Sequence, residues 1–277
     1  MTFRPHFEAL IPRVQGILRS IGRILPNLHG TREKKRRLYS SVIHSVLLYG
    51  APVWWRAVVE DQRVRRAVRA LQRRVAIRVC CAYKTVSYYA AMMVAGIIPL
   101  DNLAPQLADA YAAVREADDP VFPRTRAVLG AVSKRRAIAA WKEEEVNLVG
   151  AIGATGVRVR AAIASRLEEW VGRPFSLETT FHTTQLMTGH GCFPAYLYGI
   201  RKADSPRCFH CDAGNDDADH TLIECPAWTN ARASLVRELG GGAAHSPRDS
   251  RAIPGYPGGV GCIPVLCRTS YEGQGGC

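Results

Sequence analysis

The chain has 277 residues, 47% of them hydrophobic, and a formal net charge of +13. That length and apolar content suit a globular protein of one large or two small domains and exclude a disordered one. The longest apolar run, Ala90 to Leu100, is interrupted by Gly96 and Pro99 and is too short to span a bilayer, so no membrane partner is expected.

The first residues, Met1-Thr-Phe-Arg-Pro-His6, lack the basic stretch and apolar stretch of a secretory signal. Nine cysteines without such a signal point to reduced thiols in an intracellular setting, nuclear or cytoplasmic. The positive charge is concentrated early. Residues 1–100 carry 18 Lys/Arg against 4 Asp/Glu, whereas residues 101–277 carry 19 against 20. The first third is therefore the part expected to face a polyanion.

In chain order, residues 7–25 place Leu10, Ile11, Val14, Ile17, Leu18, Ile21 and Leu25 on one helical stripe, ended by Pro26 to Gly30. Thr31 is a candidate cap for the next helix, which opens with the basic run Lys34, Lys35, Arg36 and Arg37. Cations there oppose the helix dipole, so a nearby anion is expected. The same helix is predicted to bury Leu38, Val42, Ile43 and Val46 and to run to Gly50. After Ala51-Pro-Val-Trp-Trp55, a helix over roughly 60–82 has an apolar seam of Val64, Val68, Leu71, Val75 and Val79. Seven arginines, Arg63, Arg65, Arg66, Arg69, Arg73, Arg74 and Arg78, fill the rest of the wheel and leave the seam clear. One side docks and the other is open to phosphates.

Residues 84–171 read as helical throughout: an apolar helix from Ser87 to Gly96, one capped by Asp101 and running to about Glu116, and two more near 125–149 and 157–171. The last is predicted to bury Val157, Ala161, Ile163, Ala164 and Leu167. Glu143 to Glu145 read as solvated helix surface, and Cys80 and Cys81 as buried small residues. Gly189-His190-Gly191 reads as a turn between helices. The 38 residues after Leu239 contain 10 glycines and are expected to be disordered.

The densest chemistry lies at Cys208-Phe-His-Cys211, followed by eight residues, His220, four residues and Cys225. Three thiolates and one imidazole at this spacing suit a closed, tetrahedral, structural Zn2+ site. The intervening Asp212 to Asp219 has no apolar residue larger than alanine, so the metal is expected to hold it in shape. Residues 204–225 carry six acids (Asp204, Asp212, Asp216, Asp217, Asp219, Glu224) against Arg207, a surface that repels phosphate. Phe209 and Trp228 are candidates for stacking on a base or for packing against the cluster. A short helix is expected from Ala227.

Several stretches together resemble the reverse-transcriptase polyproteins of non-long-terminal-repeat retrotransposons, specifically the type-1 elements that insert into insect ribosomal DNA. They are Leu47-Leu-Tyr-Gly-Ala-Pro-Val-Trp54, Leu71-Gln-Arg-Arg-Val-Ala-Ile-Arg-Val-Cys80, Tyr83-Lys-Thr-Val-Ser87, Ala95-Gly-Ile-Ile-Pro-Leu100, Gln185-Leu-Met-Thr-Gly-His-Gly-Cys-Phe193 and the Cys/His cluster. The resemblance implies a thumb over residues 1–80 and a C-terminal zinc knuckle at 208–225. It also implies a parent that is an RNA-directed DNA polymerase with an endonuclease, acting by target-primed reverse transcription. The polymerase's aromatic-x-Asp-Asp motif is not found, so Mg2+ would belong to the parent and this piece by itself would carry no catalysis.

The expected architecture is mostly α: basic thumb-like helices over 1–82, a helical connector over 83–203, the knuckle and its following helix over 204–238, and a disordered tail over 239–277. The expected partners are RNA and DNA, template or target, and the rest of the polyprotein. The alternative is a zinc-stapled helical protein-interaction module.

Overall fold

The computed structural model describes residues 2–24, 30–116, 122–148, 155–174 and 178–238. The described residues are mostly helical and contain no strand. Leu25, the 25–29 break and the Gly-rich tail lie outside them.

Among the described residues, twelve α-helices follow one another. The first four are α1 (Arg4–Ile24), α2 (Glu33–Leu48), α3 (Ala51–Glu60) and α4 (Gln62–Val79). Then come α5 (Tyr88–Ala95), α6 (Leu100–Glu116), α7 (Phe122–Asn147), α8 (Val157–Ile163) and α9 (Leu167–Val171). The chain closes with α10 (Phe181–Thr188), α11 (Pro194–Gly199) and α12 (Thr229–Glu238). No single helix among the described residues is long and apolar enough to cross a membrane. α2 and α3 pass that test only as a pair, and they are bent by 91°.

The centre is α4, which packs on α1, α2, α3 and α5. Its predicted seam is fully buried: Val64, Val68, Leu71, Val75 and Val79 are all 4% exposed or less. At about 1.5–3 kcal/mol for each buried aliphatic side chain, the five seam residues contribute roughly 8–15 kcal/mol of burial before the entropy of ordering is set against it. Gln72 is buried beside it. Its amide accepts from Leu100 N at 3.1 Å and donates to Ile98 O at 3.3 Å, tying α4 to the turn before α6. One apolar cluster runs from Phe7 to Met187, crossing the 82/83 boundary between the thumb-like helices and the connector. A smaller one joins Leu186, Phe193 and Ala218, with Tyr196 and Leu222 against it.

Several expectations are corrected. The helix predicted over 60–82 begins at Gln62, because Asp61 turns out of helix and caps it, its Oδ1 accepting from Arg63 N (2.9 Å) and Val64 N (3.4 Å). Residues 51–60 form a helix of their own. Gly50 turns the chain with a φ of 71°, and Pro52 starts the helix without needing an N–H donor. On α2, Leu38 and Val42 face solvent at 65% and 48% exposure, while Ile43 and Leu47 are buried. The face that α2 buries is partly polar: Glu33, Arg36 and Ser40 share it with Ile43 and Leu47.

Thr31 does not cap α2. The residue before the helix is Arg32, without a side-chain cap, and Thr31 offers its carbonyl to Arg36. Asp101 lies inside the first turn of α6 and pairs with Arg69 instead of capping. Val157 is exposed. Glu145 is 1% exposed and pairs with Arg160 at 2.5 Å, also accepting from Trp141 Nε1, so that part of the acidic triplet is core. The turn at Gly189-His190-Gly191 and the helix after Ser87, whose hydroxyl accepts from Ala90 N, form as expected.

Candidate nucleic-acid interface and metal centre

The basic residues of α2 and α4 divide into two groups that the sequence does not distinguish. The first group is bound into the protein. Arg36, 2% exposed, donates to Thr31 O (2.7 Å) and Arg78 O (2.9 Å). Arg37 donates to Glu33 (2.7 Å) and Ala95 O (3.3 Å), and Arg65 to Val59 O (3.1 Å). Arg36, Arg37 and Arg65 thus cap carbonyls at the C-terminal ends of α4, α5 and α3, the negative poles of those helices. Arg69 is held by Asp101 (2.8 Å) and the Tyr89 hydroxyl (3.2 Å). Arg73 donates to Val86 O (2.8 Å) and Lys84 O. Arg78 is half-buried beside Gly22 of α1.

The second group is open. Arg63, Arg66 and Arg74 are exposed and their side chains have no partner among the described residues. They line one flank of α4 over about 16 Å, at ~1.5 Å rise per residue. Lys34 and Lys35 are exposed at the start of α2. The anion expected near that start is Glu33, in the first turn of the same helix. Its buried carboxylate accepts from Arg173 (2.5 Å), Arg37 and Thr179, and so joins α2 to the segment after α9.

The four predicted metal ligands come together. The ligand atoms of Cys208, Cys211, His220 and Cys225 all lie within 4.8 Å of one another and could hold a metal ion. Cys208 and Cys225 sulfurs are 3.9 Å apart, and Cys211 Sγ is 3.3 Å from His220 Nε2. Tetrahedral ligation at ~2.3 Å per sulfur would place sulfurs about 3.8 Å apart, so the spacing fits.

Local structure supplies the geometry. Cys208 N donates to Ala213 O, closing the first turn, and Asp212 takes a φ of 56°. Asp217 Oδ1 accepts from Asp219 N and His220 N at the mouth of a π-helical turn, His220–Glu224, which ends as Cys225 N donates to His220 O. His220 Nδ1 faces Glu224 at 3.5 Å, the position of a ring-orienting partner. Burial pushes the Cys208 thiol up to about 12 and the Cys225 thiol up as well, while the Ala213 backbone N–H pulls Cys211 down. Burial disfavours the charged thiolates unless a cation offsets them, so this cluster could hold a metal ion.

The acidic count of the knuckle overstates its free charge. Asp216 is buried and accepts from the Thr221 hydroxyl, Asp217 caps the π turn, and Asp219 pairs with Arg158 at 2.6 Å, fastening the knuckle to α8. Asp204, Asp212 and Glu224 remain exposed, as do Arg201, Lys202 and Arg207. Phe209 is 74% exposed and does not pack on the cluster, whereas Trp228 packs edge-on against His210.

A basic helical body ending in a Cys/His cluster matches polyproteins of type-1 retrotransposable elements, and the similarity covers 84–85% of the chain. The chain is 27% identical over 244 residues to a 115 kDa protein in the type-1 retrotransposable element R1DM of Drosophila melanogaster. It is 23% identical over 250 residues to a retrovirus-related Pol polyprotein from the type-1 element R1 4 of Nasonia vitripennis. It is 26% identical over 249 residues to a Pol polyprotein from the type-1 element R1 of Bradysia coprophila. The matches span 23%, 59% and 23% of those proteins, so the chain corresponds to a part of each. No family profile and no solved structure matches it.

Proposed function

We propose that the chain is the nucleic-acid-binding, thumb-and-knuckle part of a retrotransposon polyprotein, gripping RNA or DNA through phosphates with little reading of bases. The observation that carries this is the row of unpartnered Arg63, Arg66 and Arg74 on α4, in a helix whose other four arginines are all engaged within the fold or half-buried. Lys34 and Lys35 extend the basic surface, and Arg36, Arg37, Arg65, Arg69, Arg73 and Arg78 position it. A structural Zn2+ on Cys208, Cys211, His220 and Cys225 closes residues 208–225 on themselves, and the Arg158–Asp219 pair fastens that unit to α8, a reading supported by the ligand spacing.

In this reading the division into basic helices (1–82), connector (83–203) and knuckle (204–238) is one of roles, not of separate cores. The parent's polymerase and endonuclease steps, with their Mg2+, belong to other parts of the polyprotein. Fluorescence anisotropy of a labelled RNA–DNA hybrid across a salt series tests it: affinity falls steeply with salt if phosphates are the target, and is flat if they are not.

A second reading has its own observation. Leu38, Val42, Tyr49 and Val53 are 65%, 48%, 83% and 68% exposed along α2 and its corner into α3, a stripe suited to docking on the rest of the polyprotein. Leu38→Ser with Val53→Ser and, separately, Arg66→Glu with Arg74→Glu separate the two readings: loss of docking in the apolar variant with unchanged RNA affinity in the arginine variant favours the interaction module.

A further inference from the structure

The loop after α4 meets the Gly-His-Gly turn and α11 at one surface point although it is more than 100 residues from both in the chain. Thr85 Oγ1 lies 3.0 Å from His190 Nδ1 and 2.6 Å from the Tyr196 hydroxyl. The His190 and Tyr196 rings stack, 4.8 Å between centroids at 29°. Tyr83 stands edge-on to Tyr196 (6.4 Å, 62°) and tilts against Phe181 (5.7 Å, 35°). Four rings therefore form a row, Phe181, Tyr83, Tyr196 and His190, each only partly buried.

We infer that this row is a stacking subsite for bases of single-stranded nucleic acid. The inference rests on the phosphate-binding reading above and adds a second element to it. A purely structural latch between the three segments would enclose its central hydroxyl, but Thr85 is exposed, and so is Lys84 beside it. The loop is held in place from below, since Arg73 donates to both Val86 O and Lys84 O. Arg73 lies two turns beyond Arg66 on the same flank of α4, so the open arginine row runs towards the Lys84 loop.

A strand whose phosphates follow Arg63, Arg66 and Arg74 is delivered there with its bases free to meet aromatic faces. Base-on-aromatic stacking is tolerant of sequence because every base has a π-face. His190 Nε2 has no partner among the described residues and is not enclosed, so the ring keeps a polar edge for a base. Burial lowers the His190 pKa, which favours the uncharged ring at neutral pH.

The test uses the full chain loaded with zinc. Anisotropy is read with a labelled 12-nucleotide oligothymidylate, the same length of oligouridylate, and an abasic strand of equal charge. The base-bearing strands bind at least about fivefold tighter than the abasic strand if one base stacks. Whichever of the DNA and RNA arms shows the larger ratio identifies the strand type. His190→Leu and Tyr196→Leu remove the preference while leaving abasic binding unchanged. Equal affinity of base-bearing and abasic strands for the unmodified chain overturns the inference.

Binding of none of the strands overturns it together with the phosphate reading, whereas equal binding of all three strands that is lost in an Arg63, Arg66, Arg74→Gln variant leaves the phosphate reading standing by itself. Photocrosslinking of a 4-thiothymidine strand to the unmodified chain decides the matter without variants. Adducts on Tyr83, Phe181, His190 or Tyr196 support the subsite, and adducts confined to Phe209 or elsewhere overturn it.

Discussion

Replacing Glu33 with Gln should destabilise the protein far more than any surface charge change. The Glu33 and Arg173 side chains are 2% and 4% exposed and 2.5 Å apart. The carboxylate accepts from Arg173 Nη2, Arg37 Nε, Thr179 N and Thr179 Oγ1, so an amide there would point a donor at donors. Arg173 is already under strain from desolvation, which pulls its pKa down to about 10 against the opposing pull of Glu33. Without the carboxylate, a guanidinium stacked on Trp170 at 4.1 Å stays buried among the carbonyls of Trp170 and Val94 with no anion facing it from Glu33.

Removing one partner of such a pair costs about 3–5 kcal/mol. The exposed Arg166–Glu169 pair is the control, and Glu169→Gln should leave the stability close to that of the unmodified protein. Urea denaturation of both variants measures the difference. A loss below about 1 kcal/mol in Glu33→Gln would refute the reasoning, and a Glu33→Leu, Arg173→Met double variant should recover much of the lost stability.

Further predictions concern the metal and pH. Chelation, or Cys208→Ser with Cys211→Ser, should unfold residues 204–238 and leave the helices up to α9 formed. Far-UV circular dichroism would fall by a small fraction, whereas global loss of helix would contradict a staple role. His44 donates from Nδ1 to Ser40 O and lies 3.4 Å from the Gln72 amide, and burial lowers its pKa from 6.5. The unfolded chain then binds the proton more readily, so stability is full above pH 6.5 and declines as pH falls below it, by up to about 1.4 kcal/mol per pH unit for one proton. Thermal melts between pH 7 and 5 should flatten in His44→Gln; an unchanged pH slope would exclude His44 as the source.

What could be read from the sequence was whatever depends on local periodicity or spacing. The Val64 to Val79 seam, the Ser87 and Gly96 ends of α5 and the four-ligand cluster are all local patterns, and all appear in the structure. α2 misled because its buried face carries Glu33, Arg36 and Ser40, whose polarity is satisfied by distant carbonyls and by Arg173. The more apolar stripe, Leu38 to Val53, is the one left in solvent. Glu145 looked solvated because its partner Arg160 lies 15 residues away, and Thr85 gave no sign of His190 across 105 residues. The division of the basic residues into engaged and exposed groups is likewise tertiary, fixed by where the helix ends fall.

The most direct measurement is the salt slope of RNA–DNA hybrid binding for the unmodified chain and for Arg63, Arg66, Arg74→Gln. If each of the three arginines neutralises one phosphate, the slope of log affinity against log salt should shrink by roughly 2.7, at about 0.9 per contact. Arg36→Gln should show no comparable change in slope, only a loss of stability. An identical slope in the triple variant would contradict the assignment of α4 as the phosphate-gripping surface.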